Sequence, residues 1–296
     1  MNRIALALCT LVLASQAASA TPLDRRLIPA DAVGIGHMDV DAFRKSAVMA
    51  LLPSPKDQAD PFERAMVKKL EADCSGVTLW VADTAKDDDA RGGVLMLEFA
   101  QTASATDFAN MLVKQTGAKK VDATRYHGTM KGKTFEAALL GNVVALSHDV
   151  ASLDKTIGLS QGKGTSLSAK QLPETADHGM FLFVVLGKDL LDDVRQAAGS
   201  KLLQTEISAL SFSAGEVASE FRAHATAVMA TADGAQKVKT VLDGLIALVS
   251  LTHDAPPIAA AASYVKVTTS GTTAELVFAM PAAELVKLVQ THHKTK

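Results

Sequence analysis

Aromatic side chains are scarce in this chain of 296 residues: ten Phe, two Tyr and one Trp make up 4% of it. A basic excess is missing as well, because 30 Lys and Arg face 32 Asp and Glu for a formal charge of −2. Phosphates are held by cationic patches and bases by aromatic stacking, so the two absences together exclude nucleic acid as a partner. Cysteine is limited to Cys9 and Cys74. Catalytic signatures are absent too. There is no Gly-x-Ser-x-Gly nucleophile elbow and no His-Glu-x-x-His zinc helix.

What is present begins with an address. Met1-Asn2-Arg3 gives a positive start, Ile4 to Ala14 an apolar stretch, and Ala18-Ser19-Ala20 the small-x-small pattern read by signal peptidase. Cleavage is expected after Ala20, leaving a periplasmic or secreted protein that starts at Thr21 and is one unit more negative. The apolar stretch is too short to cross a ~30 Å hydrocarbon core, so no integral span is expected after cleavage. Cys9 follows bulky Leu8, where a lipidation box carries a small residue, and is not read as lipidated. Cys74 is then alone, which rules out an internal disulfide and favours a buried thiol at the end of a helix.

Charged residues at 21% and hydrophobic residues at 48% are globular averages, and the length allows one large domain or two ordinary ones. Periodicity predicts strand, helix, strand, strand, helix, hairpin and helix over residues 21–158 and the same string over 178–296. A Gly- and Ser-rich stretch, 159–177, reads as the linker between them. The expected fold is α+β, with two related units of antiparallel sheet, helices packed on one face of each, and an internal duplication. The first core is expected to draw on Leu79, Val81, Leu95, Leu97, Phe108 and Leu112. The second is expected to use Phe181, Phe183, Leu210, Val241, Leu245 and Phe278. In the second half, strands are expected over Glu206–Phe212 and Glu216–Ala227, and in the first half a helix capped by Ser104.

The opening Leu27-Ile28-Pro29-Ala30-Asp31-Ala32-Val33, with Asp39-Val40-Asp41-Ala42-Phe43-Arg44-Lys45-Ser46 soon after, resembles a broad set of uncharacterised exported bacterial proteins. In that set a Tyr-x-Gly hairpin such as Tyr126-His127-Gly128 precedes a strand like Asn142-Val143-Val144-Ala145-Leu146-Ser147. The resemblance implies recurring α+β units in the cell envelope and brings no catalytic residue with it.

Four partial motifs have plainer readings. Gly128-Thr129-Met130-Lys131-Gly132-Lys133-Thr134 is one residue short of a phosphate loop and joins two expected strands, so it reads as a hairpin turn. Gly34-x-Gly36 lies within a strand pattern, with Asp39 where a dinucleotide fingerprint needs glycine. Ser152-x-x-Lys155 lacks the companion motifs of penicillin-recognising enzymes and reads as an exposed helix face. Asp87-Asp88-Asp89 lacks the spacing of a calcium loop and reads as solvated. His37, His127, His148, His178, His224 and His253 are scattered, and adjacent His292 and His293 point about 100° apart on a helix. No catalytic, cofactor-binding or metal-binding residue is assigned, and no cofactor is called for. The expected function is non-enzymatic: binding of an unknown protein or envelope partner, with carriage of a lipid or other small apolar ligand as the alternative. A hydrolase with dispersed catalytic residues is the third reading.

Overall fold

The computed structural model describes residues 23–51, 61–82, 92–130, 132–168, 172, 180–187, 190–191, 207–251 and 256–294. The run Asp87–Asp89, His178, His253 and most of the expected helix over Lys188–Ala198 fall outside them. Helices and antiparallel strands dominate, which makes the chain α+β. It divides into two units, the first running to Arg44 and from Leu52 to Leu172, the second comprising Lys45–Leu51 and everything from Pro173 onward.

In the first unit the strands are β1 (Gly34–Asp39), β2 (Cys74–Val81), β3 (Gly93–Phe99), β4 (Lys119–Lys120), β5 (Arg125–Met130), β6 (Lys133–Leu140) and β7 (Val143–Ser147). Their spatial order is β1-β2-β3-β7-β6-β5-β4, with every neighbouring pair antiparallel. The helices are α1 (Val40–Lys45), which straddles the unit boundary, α2 (Pro61–Asp73), α3 (Thr102–Thr116) and α4 (Val150–Ser160).

Helices cover both faces of this sheet, not one as the sequence suggested. Trp80 pairs across to Val94, and its indole N–H donates to Thr156 of α4 at 3.1 Å. Phe99, five residues along β3 and therefore on the opposite face, meets Phe108 of α3 with ring centroids 5.3 Å apart. The strand sequences carry the cause. Val143-Val144-Ala145 and Ala137-Ala138 are apolar at consecutive positions and buried on both sides, as strands sandwiched between layers are. Leu97, Phe108 and Leu112 lie in this core, whereas Leu79, expected there, is 46% exposed.

The second unit has β8 (Met180–Gly187), β9 (Ile207–Val217), β10 (Glu220–Met229), β11 (Val265–Ser270) and β12 (Thr273–Pro281), in the antiparallel order β8-β9-β10-β12-β11. Its helices are α5 (Ala232–Ser250), α6 (Pro256–Ala262) and α7 (Ala282–Lys294). Thr231 caps α5 by accepting from the Gly234 amide, and Ala235 and Val238 then pack with Met229, Ala274, Leu210 and Ala227. Phe181 and Phe183 are buried as expected, but Val241 and Leu245 are 48% and 52% exposed. At about 100° per residue, Val238, Leu242 and Val249 fall on one stripe of α5, and seating that stripe turns Val241 and Leu245 outward.

Two element boundaries move for local reasons. The β9–β10 turn is Ala218-Ser219, at φ of 51° and 66°, so the chain runs straight through Ser213-Ala214-Gly215, where the sequence reading broke it. Helix α3 starts at Thr102, with Ser104 inside it. Within the segment read as a linker, Leu159 and Ser160 complete α4, and the Leu167 amide donates to the Ile28 carbonyl at 2.8 Å.

Candidate functional site

Two features stand out, one in each unit. The first is a polar group on the α4 side of the first sheet. Across the register, Asp39 of β1 and Glu98 of β3 both face Gly76 of β2, so no side chain separates the two carboxylates. A Cβ on Gly76 would lie 3.4 Å from Glu98 Oε2 and 3.6 Å from His37 Cε1, which places the carboxylate and the imidazole over the same bare backbone. His37 is 4% exposed, and its Nδ1 shares a 2.8 Å hydrogen bond with Thr78 Oγ1. Asp39 caps α1 by accepting from the Ala42 amide at 2.8 Å.

A short strap of chain crosses near this group. Asp24 caps the 3-10 turn Arg25–Leu27, accepting from the Arg26 amide at 3.1 Å and from the Arg26 guanidinium through two contacts of 2.9 Å. Those guanidinium bonds hold the Asp24 carboxyl below the usual carboxylate range, against the opposing effect of burial. Burial pushes the Glu98 carboxyl up to about 7, and the charges of Asp24 and Asp39 add to the rise, while the Asn142 amide and Arg26 act the other way. The chemistry available is therefore to hold a proton near neutrality. Sequence reading passed over Glu98, because its partners come from distant segments and only its place in a half-apolar strand was visible.

The second feature is an apolar ridge. Val241, Leu245, Leu248 and Leu251 recur at intervals of four, three and three, and Leu248 and Leu251 are 66% and 70% exposed. No charged residue follows Asp243 before the helix ends. Contiguous exposed apolar side chains of this kind mark interaction surfaces, whereas single ones are ordinary.

The partial motifs resolve structurally. Gly128–Met130 end β5 and Lys133-Thr134 open β6, with Gly132 at φ 78° between them. Gly34 and Gly36 lie in β1. Ser152 is buried rather than exposed, donating at 2.5 Å to the carboxylate of Asp149, which caps α4, while Lys155 pairs with Asp31 at 2.8 Å. The structure thus holds these two side chains with different partners, apart from any shared chemistry. His127 pairs with Glu136 at 2.7 Å, His148 bonds to the Thr134 carbonyl, His224 lies in β10, and His292 and His293 fall in α7. Among the described residues no three of His, Cys, Asp and Glu are grouped to hold a metal, and no helix is long and apolar enough to cross a membrane.

No family model matches the chain, and no characterised protein matches it at a significant level. Among solved structures it is similar to three crystal forms of TP0453. Form I matches at 8% identity with a TM-score of 0.55, covering 93% of this chain and 99% of that one. Form III matches at 8% identity with a TM-score of 0.58, covering 93% and 100%. Form IV matches at 9% identity with a TM-score of 0.53, covering 92% and 97%. At such identity the likeness is one of fold, and it extends over nearly the whole of both chains.

Proposed function

We propose that this chain is an exported, non-enzymatic binding protein that meets an apolar surface of an envelope component through the ridge on α5. Export rests on the leader Met1–Ala20 and on the residues around Leu27–Ser46 and Tyr126–Ser147 that resemble exported bacterial proteins. The observation that carries the binding role is the row Val241, Leu245, Leu248 and Leu251, which leaves four large apolar side chains in water on one helix face. The two units are proposed to descend from one. In support, β1-β2-β3-β7-β6 and β8-β9-β10-β12-β11 follow the same order, each third strand leads into a long helix, and each last strand leads into another.

A second reading, carriage of an apolar ligand, is favoured by β10. None of its residues from Glu220 to Val228 is fully buried, although Phe221, Ala223, Ala225 and Ala227 line one face.

Sedimentation of the purified mature protein with envelope membranes tests the first reading. The wild type should pellet with them, and Leu245→Gln combined with Leu248→Gln should remain in the supernatant with stability changed by no more than ~0.5 kcal/mol. Pelleting of the double variant at the wild-type level would refute the ridge. Solvent extraction of the purified protein that yields one apolar molecule per chain would establish the carrier instead.

A further inference from the structure

Matching hydrogen bonds recur in the two units at one constant spacing along the chain. The Phe99 amide donates to the Asn142 carbonyl at 2.9 Å, and the Met229 amide to the Thr272 carbonyl at 2.8 Å. Likewise the Ala105 amide reaches the Gln101 carbonyl and the Ala235 amide the Thr231 carbonyl, both at 3.2 Å, and both alanines are fully buried. Gly141, at φ 67°, and Gly271, at φ 55°, turn β6 into β7 and β11 into β12 at that same spacing. Strand β11 therefore takes the place of β6, with Lys266 at the position of Glu136 and Thr269 at that of Leu139.

The outer sides of these two strands differ. In the first unit β5 lines that side, pairing Tyr126 with Ala137, His127 with Glu136 and Gly128 with Phe135. In the second unit the counterpart of Tyr126–Met130 lies in α6, which packs against α5, and β11 ends the strand order with no strand on its outer side among the described residues. The Leu139 amide donates outward to the Thr124 carbonyl at 2.9 Å. Backbone direction alternates along an antiparallel strand, so the N–H and C=O groups of Thr269 and Val267 point to the open side. Charge is inverted as well. Glu136 is paired with His127 at 2.7 Å and with Arg125 at 3.7 Å, whereas Lys266 is exposed and has no carboxylate partner among the described residues. Glu275, diagonal to Lys266 on β12, lies 3.5 Å from the Thr268 hydroxyl.

We propose that the outer edge of β11 accepts an extended acidic segment of a partner protein, which adds antiparallel to β11 as β5 adds to β6 and sets a carboxylate opposite Lys266. Main-chain bonds to Val267 and Thr269 supply the attachment. The side chains on either side of that carboxylate fall opposite Val265 and Val267, on the face covered by α5, where Thr269 Oγ1 lies 3.3 Å from Gln236 Oε1. At least one of them is apolar, as Tyr126 is in the first unit. A cation on an open edge discourages indiscriminate pairing, and an acid across from it turns the same charge into attraction.

A synthetic peptide copying residues 124–130 with His127→Glu serves as the probe, and its twin with His127→Lys as the control. Hydrogen exchange of the purified mature protein should show the Glu peptide raising protection of the Val267 and Thr269 amides on the order of tenfold. The Lys peptide should bind about fivefold more weakly, and Lys266→Glu in the protein should reverse that preference. Thr269→Pro, which removes an outward donor while leaving the pairing with β12 intact, should weaken binding of the Glu peptide. Equal binding of the two peptides, or protection that leaves Val267 and Thr269 unchanged, would overturn the proposal. Protection of these amides that rises with protein concentration alone would assign the edge to a second copy and overturn the acidic partner. The α5 double variant Leu245→Gln, Leu248→Gln should still bind the Glu peptide, so the edge and the ridge stand or fall separately.

Discussion

At the scale of single residues, burial decides chemistry. Cys74 opens β2, where its thiol donates to the Gly76 carbonyl at 3.2 Å and burial pushes it up to about 12, against the pull of the nearby Arg44 charge. A thiol so rarely ionised is a poor nucleophile. The folded protein should therefore resist alkylation at pH 8 and run as a monomer on a non-reducing gel. Cys74→Ser should cost about 1–3 kcal/mol in chemical denaturation, since a hydroxyl there needs a stronger partner than the thiol does. The buried thiol was legible from composition and position, as were Phe108 and Leu112 from helical spacing. Glu98 and the buried Ser152 were not. Each takes its meaning from its surroundings: burial, with the charges of Asp24 and Asp39 added, raises the carboxyl of one, and Asp149 accepts from the hydroxyl of the other.

Elements were legible where turn chemistry was conventional. The turn between β5 and β6 has Gly132 and was placed correctly, whereas Ala218-Ser219 has no glycine, asparagine or proline to announce it. Two side chains with a Cβ are held there in the left-handed region, at a cost of about 1 kcal/mol or more each. Replacing them by Ala218→Asn and Ser219→Gly should stabilise the protein by about 1–2 kcal/mol, seen as a higher Tm. The Ser219 carbonyl, which accepts from the Ala282 amide at 2.9 Å, remains available in that variant. Helix α5 is the other instructive element. Its apolar residues cover more of its circumference than the sheet beneath can bury, so the periodicity identified the helix but not which apolar stripe would face the strands.

For the whole molecule, periodicity and short connections were enough to read an α+β chain with antiparallel strands, and the structure agrees at that level. The double covering of the first sheet went unread, although Val143-Val144-Ala145 and Ala137-Ala138 carry it, because short connections point to an antiparallel sheet and such sheets commonly pack on one face only. Segment 45–51 shows the other limit. It belongs to the second unit, where Glu216 accepts from the Ala47 amide at 2.6 Å and α7 packs against it, yet its sequence neighbours lie in the first. The central claim is that the α5 ridge is the binding surface, and hydrogen exchange of the mature protein with and without envelope membranes tests it most directly. The account predicts added protection concentrated over residues 241–251. Unchanged exchange there, with protection appearing elsewhere or nowhere, would contradict it.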